Sequence, residues 1–196
     1  MPVHTGGGMT LLLTGLSGAG KTSIASAALV GLLAAGRRAE VLDGDEVRRN
    51  LWPELGLSRA DRERNLTRIG VLARTIARNG VVVLVSAIAP YAAARRAFRD
   101  SHAVEGLPCY EIHVATPLAV CRERDVKGLY ARHARGEITG LTGVDAPYEA
   151  PEDPDLRIET VHDPVERCAQ LLVERVAHWT AASPPVPSGR TLNRPL

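Results

Sequence analysis

"MTLLLTGLSGAGKT", residues 9–22, runs from a block of aliphatic residues through three glycines to a lysine and a threonine. Its last eight residues, Gly15 to Thr22, satisfy the spacing G-x-x-x-x-G-K-[ST] in full, directly after one strand-like run and directly before a helical one. Glycines at these places let successive backbone N–H groups close around phosphate oxygens, and a helix N-terminus adds its partial positive charge. Gly15, Ser17, Gly18, Ala19, Gly20, Lys21, Thr22 and Ser23 are therefore the candidate residues for ATP. In this pattern the lysine reaches the β- and γ-phosphates and the threonine hydroxyl serves Mg²⁺.

Working outward from that loop, five short runs rich in β-branched and aliphatic residues divide the chain. They are "MTLLLTG", "AEVLDGD", "VVVLVSAI", "YEIHVAT" and "LRIET". Helical spacing fills the intervals over 21–35, 60–79, 91–102 and 118–125, with a final helix over 164–181. Near-continuous apolar strands alternating with helices predict an α/β protein, with a parallel sheet covered on both faces. The helix from 60 carries Leu66, Ile69, Leu72, Ala73 and Ile76 on one stripe, with Ser58 and Asp61 placed as a capping box. Asn79-Gly80 suits a left-handed stop.

The 196 residues carry 24 basic and 22 acidic side chains, a net charge of +2, so nothing marks a general nucleic-acid binder. Cys109, Cys121 and Cys168 are dispersed and odd in number, which predicts reduced, buried thiols rather than a disulfide or metal framework. The apolar runs near 9–13 and 81–85 are too short to span a bilayer, and "MPVHTGGG" lacks the plan of a signal peptide. The expectation is a soluble cytoplasmic protein with one P-loop domain over 1–182 and a loose proline-rich tail over 183–196. No membrane or nucleic-acid partner is expected.

"LDGDEVR", residues 42–48, closes the second strand-like run. On an extended backbone Asp43 and Asp45 project from one face, with Gly44 leaving room between them. Ligands of open α/β sheets sit beyond the carboxyl ends of the strands, so both carboxylates should face the phosphate loop. One could hold the waters on Mg²⁺ and the other could orient or deprotonate an acceptor hydroxyl. With Lys21 they are the candidate catalytic residues. In "DRERN", Arg62 and Asn65 share a helix face at i, i+3, and an arginine fork suits a pair of phosphate or sulfate oxygens. "RDVKGLYARHARGEITGLTG", 124–143, is basic and interrupted by glycines, the composition of a mobile lid, placed at about 126–146.

Taken together, "GLSGAGKT", "LDGDEVR", "LGLSRADRERN", "RIGVLAR", "SAIAPY", "VCRERDVKGLY" and "GEITGLTGVDAPYEAPEDP" resemble the adenylylsulfate (APS) kinases in order and spacing from about residue 10 to 160. That family phosphorylates the 3′-hydroxyl of APS with MgATP to give PAPS. The resemblance implies a doubly wound, five-stranded parallel sheet of P-loop kinase type with a mobile lid, often as a homodimer. It implies substrate-side roles for Asp45, Arg48, Leu57, Arg62, Asn65, Ile88, Ala89, Lys127, Gly140 and Leu141. Thr22 and Asp43 fall on the metal side, and Arg124 lies against the ATP adenine.

Five positions depart from the family pattern. Leu57 and Leu141 stand where phenylalanines usually sandwich the APS adenine, Ala87 and Ala89 replace a ring and a serine, and Glu46 replaces an asparagine. The catalytic half is intact and the base-recognition half is altered. An APS-kinase-like enzyme redirected to another hydroxyl acceptor is therefore the alternative, and a nucleotide-binding regulatory subunit without turnover is a third.

Overall fold

The computed structural model describes residues 7–182. Five parallel strands are ordered β2-β3-β1-β4-β5, namely β1 Met9–Thr14, β2 Ala39–Asp43, β3 Val82–Ser86, β4 Cys109–Val114 and β5 Leu156–Ile158. Seven helices connect and follow them: α1 Lys21–Ala34, α2 Gly44–Leu51, α3 Arg59–Ala77, α4 Ala92–Ala103, α5 Leu118–Arg124, α6 Leu129–Ala134 and α7 Val165–Ala182. All five strand-like runs and all five expected helices are present. The loose tail expected over 183–196 lies outside the described residues.

The central strands read as unbroken apolar runs because both of their faces are buried. Met9, Leu11 and Leu13 of β1, with Val82 and Leu84 of β3, point into a core shared with Ile24, Ala28 and Leu32 of α1 and Cys168, Leu172 and Val176 of α7. The intervening Leu12, Val83 and Val85 point the other way, against Leu66, Ile69 and Ala73 of α3 and Phe98 of α4. This is the doubly wound arrangement. Its order reverses at β1, and the crevice between the carboxyl ends of β1 and β3 opens there.

Ser58 caps α3 by accepting from the Asp61 N–H at 3.1 Å, and its own hydroxyl donates to the Asp61 carboxylate at 2.7 Å. Ser58→Ala should therefore lower unfolding free energy by about 1 kcal/mol, read from the denaturant midpoint. Gly80, at φ 73, supplies the left-handed stop.

Two helices escaped the sequence pattern, and both carry site residues. α2 begins at Gly44, directly after β2, so the backbone at Asp45 is helical and the extended-strand geometry expected for "DGD" does not hold. Asp43 is its N-cap, accepting from Asp45 N at 3.0 Å and Glu46 N at 3.2 Å. Gly44 is required by packing rather than by space between carboxylates. A Cβ there would lie 3.2 Å from Ala87 Cβ and 3.3 Å from the Ser86 carbonyl. α6 lies inside the segment read as a lid and has only six residues, too few for a visible apolar period.

Candidate active site

One cavity of about 940 Å³ opens over the carboxyl ends of the central strands. At its floor the phosphate loop turns into α1 at Gly20, whose φ of 102 is a conformation that glycine adopts without strain. No side chain caps this helix, so its first N–H groups remain available for an anion. Lys21 is 8 % exposed and bends back to donate to the carbonyls of Gly15 (2.9 Å) and Leu16 (2.8 Å). Burial, reinforced by the nearby Lys127 charge, pulls its ammonium down to about 8, against the opposing pull of Asp45, Cys121 and Asp43.

Beside Lys21, three oxygen-bearing side chains converge from three elements. Thr22 of α1 donates to Asp43 Oδ2 at 2.7 Å and lies 3.0 Å from the Ser86 hydroxyl at the end of β3. Oxygen donors alone, one of them a carboxylate, suit a hard cation such as Mg²⁺. Among the described residues no group of three or more His, Cys, Asp or Glu side chains could hold a metal by itself. That fits an ion bound largely through phosphates and water rather than a protein cage. Asp43 thus divides its carboxylate, with Oδ1 capping α2 and Oδ2 facing Thr22.

Across the cavity Asp45 is held by Arg48 at 2.7 Å and by Lys127 at 2.6 Å. Burial works against its ionisation, but the hydrogen bond and charge of Lys127 and the charge of Arg48 outweigh it. The carboxyl is held below its ordinary range. Arg62 donates to the carbonyls of Leu57 (2.8 Å) and Gly140 (2.9 Å), tying α3 to the far side of the cavity.

The motif around Lys127 has a mechanical explanation. Asp125 accepts from Tyr130 N (3.0 Å) and Ala131 N (2.9 Å), capping α6, and the Tyr130 hydroxyl donates to the Ser17 carbonyl at 2.9 Å. Lys127 stands between those fasteners and reaches Asp45 over the cavity. Farther along, Arg124 donates to the Thr160 carbonyl (2.7 Å) and hydroxyl (3.0 Å), which fixes its guanidinium plane beside the loop from Thr160 to Val165.

Most of the expected residues line this one cavity: Ser17, Gly18, Gly20, Lys21, Thr22, Ser23, Asp43, Asp45, Arg48, Leu57, Arg62, Ile88, Arg124, Lys127, Gly140 and Leu141. Four others stand behind its wall. Gly15 contributes its carbonyl to Lys21, and Ala19 is buried against Thr116, whose hydroxyl donates to its carbonyl. Asn65, 8 % exposed, accepts from the Trp52 indole at 2.6 Å and lies 3.4 Å from the Gly44 carbonyl, so its amide braces α2 against α3. Ala89 is buried at φ 44, a left-handed backbone uncommon for alanine. Its carbonyl accepts from Arg95 at 2.9 Å, while Thr14 donates to the Ile88 carbonyl at 2.6 Å, so the turn presenting Ile88 is clamped from within. Leu57 and Leu141 are unequal partners. Leu57 is 58 % exposed at the mouth, and Leu141, at 7 %, is packed with Leu16 and Tyr130.

Sequence reasoning missed Ser86, Asp125, Tyr130 and the Thr160–Val165 loop. Ser86 is hidden in an apolar run, and the loop has no motif. Asp125 and Tyr130 stood inside a quoted motif, and only the αL-type turn they fasten gives them a role. Their signal was Asp followed five residues later by Tyr around a Lys-Gly pair.

The family model for adenylylsulphate kinase matches residues 7–159. A probable adenylyl-sulfate kinase of Synechocystis sp. is 50 % identical over 171 residues, covering 85 % of this chain and 94 % of that protein. The adenylyl-sulfate kinase of Deinococcus deserti is 51 % identical over 156 residues, covering 79 % and 83 %. The APS kinase of Mycobacterium tuberculosis, solved in complex with AMPPNP and APS, is 43 % identical and superposes with a TM-score of 0.84 over 87 % of this chain and 98 % of that one.

Proposed function

This chain belongs to the adenylylsulphate kinase family, and from that membership we propose that it transfers the γ-phosphoryl group of ATP to the 3′-hydroxyl of adenylyl sulfate. The observation that carries the reading is the placement of Asp45, Arg48, Arg62 and Lys127 across one cavity from the phosphate loop. A carboxylate for the attacking hydroxyl faces a cradle for the phosphoryl donor, and three cations stand beside it for an anionic acceptor. A volume of about 940 Å³ lies at the upper end of ordinary ligand pockets (about 300–1,000 Å³), consistent with two nucleotides side by side.

The ATP phosphates occupy the phosphate loop, with Lys21 exchanging its two carbonyl partners for β- and γ-oxygens. The adenine lies against Arg124, whose plane Thr160 already orients. Thr22 and Asp43 would hold Mg²⁺, with Ser86 adjacent; bound there, the ion would neutralise charge developing on the phosphate oxygens. Asp45 orients the 3′-hydroxyl toward the γ-phosphorus. As the new P–O bond forms and the β–γ bridge breaks to release ADP, the hydroxyl proton passes to this carboxylate. Phosphoryl transfer through a loose transition state keeps that proton on the nucleophile until late, so a carboxylate below its ordinary range is adequate and its main task is orientation. Arg48 and Arg62 meet the phosphosulfate, and Lys127 leaves Asp45 for the acceptor as the 126–146 lid closes over it. Asn65 and Ala89 then act from behind the wall. The homodimer is proposed from the family membership alone.

The test is direct. Purified protein with ATP, Mg²⁺ and adenylyl sulfate should form ADP and PAPS, while a panel of other nucleotides and small alcohols should not replace the acceptor. Efficient use of a panel compound with no turnover of adenylyl sulfate would end the reading. A further expected result concerns the adenine wall. Leu57 is exposed enough to admit a ring, so Leu57→Phe should lower KM for adenylyl sulfate about three- to tenfold with kcat little changed. An aromatic pair contributes about 0.5–1.5 kcal/mol beyond area.

A further inference from the structure

Among the described residues, the Thr142 hydroxyl is the single buried side-chain polar atom without a hydrogen-bond partner. Thr142 is 1 % exposed and lies along the active cavity, immediately after Gly140 and Leu141. Its neighbours in the turn hold one another. Asp145 accepts from Gly140 N at 2.8 Å and Leu141 N at 2.6 Å, and Gly143 N donates to the Ala146 carbonyl at 2.7 Å. Ala146 N donates in turn to the Leu141 carbonyl at 3.2 Å, so the residues on either side of Thr142 both bond to Ala146. Gly143 is pressed against the phosphate loop so closely that a Cβ there would lie 2.6 Å from Leu16 Cδ2. A turn fastened by these bonds that still holds a hydroxyl unpaired beside the cavity has a donor to offer to something absent from the chain. Buried polar groups without partners are rare and cost free energy unless a ligand or water completes them.

We propose that Thr142 is an acceptor-binding residue, its hydroxyl donating to a ring nitrogen of the adenine of adenylyl sulfate once that base enters beneath Gly140 and Leu141. The acceptor side is indicated by Arg62, which holds the Gly140 carbonyl, and by Leu141, which contributes to the same wall. The adenine side of ATP is lined instead by Arg124 and the Thr160–Val165 loop. This inference rests on the function proposed above.

The hydroxyl's role separates cleanly from the side chain's packing role. Thr142→Val keeps shape and removes only the unpaired hydroxyl, so the resting protein should keep or raise its thermal midpoint. KM for adenylyl sulfate should rise about three- to tenfold, as expected for losing one hydrogen bond to an uncharged base, with KM for ATP unchanged. Thr142→Ser, which retains the hydroxyl, should keep KM for adenylyl sulfate near that of the unaltered protein. An unchanged KM for adenylyl sulfate in Thr142→Val would overturn the proposal, as would a rise confined to KM for ATP. A lowered midpoint in that variant would also overturn it, by revealing an internal partner. Absence of adenylyl sulfate turnover in the unaltered protein would fail the functional reading itself, so the two failures are distinguishable.

Discussion

Lys21→Ala is expected to reduce kcat by about a thousandfold or more, with the fold retained. Phosphoryl transfer offers little covalent work for a protein, so the rate comes from positioning and from charge placed where the transition state develops it. Removing one preorganised donor to such charge costs about a hundred- to a thousandfold, and a full positive charge in a buried site belongs at or beyond the upper end. The ammonium donates to the carbonyls of Gly15 and Leu16 and its charge is held in a buried place, so its removal relieves that burial and should cost the fold little. Circular dichroism and the thermal midpoint should therefore be near normal. Near-normal turnover in the variant would remove the kinase reading.

The same lysine predicts two opposite pH trends. Its ammonium is held at about 8 in the folded protein, against the ordinary lysine value of 10.5. Between those values the unfolded chain binds the extra proton, so the ligand-free protein should gain stability as pH rises from about 8 to 10.5. Below about 8 the lysine is charged in both states and the cost of burying that charge is fully present. ATP use should move the other way. kcat/KM for ATP reports the free enzyme, and it should fall above about pH 8 as Lys21 loses the proton the phosphates require. A pH profile of kcat/KM for ATP that stays flat to pH 9.5 would show that the nucleotide does not depend on this charge.

The parts legible in the sequence were those where one residue type answers one local need. The phosphate loop is written in glycines and a Lys-Thr pair. The sheet is written in strands apolar on both faces, and α3 in a serine cap and a left-handed glycine stop. The parts that were not legible depend on encounters between distant segments. Asp45 and Lys127 are 82 residues apart, and only the α6 fasteners at Asp125 and Tyr130 bring them together. Asn65 shares a helix face with Arg62, as its spacing requires, but the indole of Trp52 takes its amide inward. Periodicity gives a side chain's direction and says nothing of what waits there. The "DGD" stretch is the instructive case. Both carboxylates do face the cavity, yet by a strand-to-helix turn at Asp43 rather than by strand alternation.

That turn gives the two aspartates separable losses. Asp45→Asn should lower kcat about a hundred- to ten-thousandfold, the range for losing a positioned acid–base group, because the amide can neither orient the hydroxyl as an acceptor of equal strength nor take its proton. Its Mg²⁺ requirement should be unchanged, since the carboxylate contacts Arg48 and Lys127 and not Thr22. Asp43→Asn should keep the helix cap, asparagine being as good at that position as aspartate. It loses the negative charge next to Thr22, so half-maximal activity should require more Mg²⁺, with kcat at saturating metal less affected than in Asp45→Asn. Activity titrated with Mg²⁺ at saturating ATP and adenylyl sulfate makes the comparison in one experiment. Superimposable titrations for the two variants would mean that the carboxylates share one task, and the division drawn from the Asp43 cap and the Asp45 ion pairs would be wrong. A raised Mg²⁺ requirement for Asp43→Asn alone would place the metal against α1 and β2. The acceptor hydroxyl would then belong to the face of the cavity that Arg48 and Lys127 share.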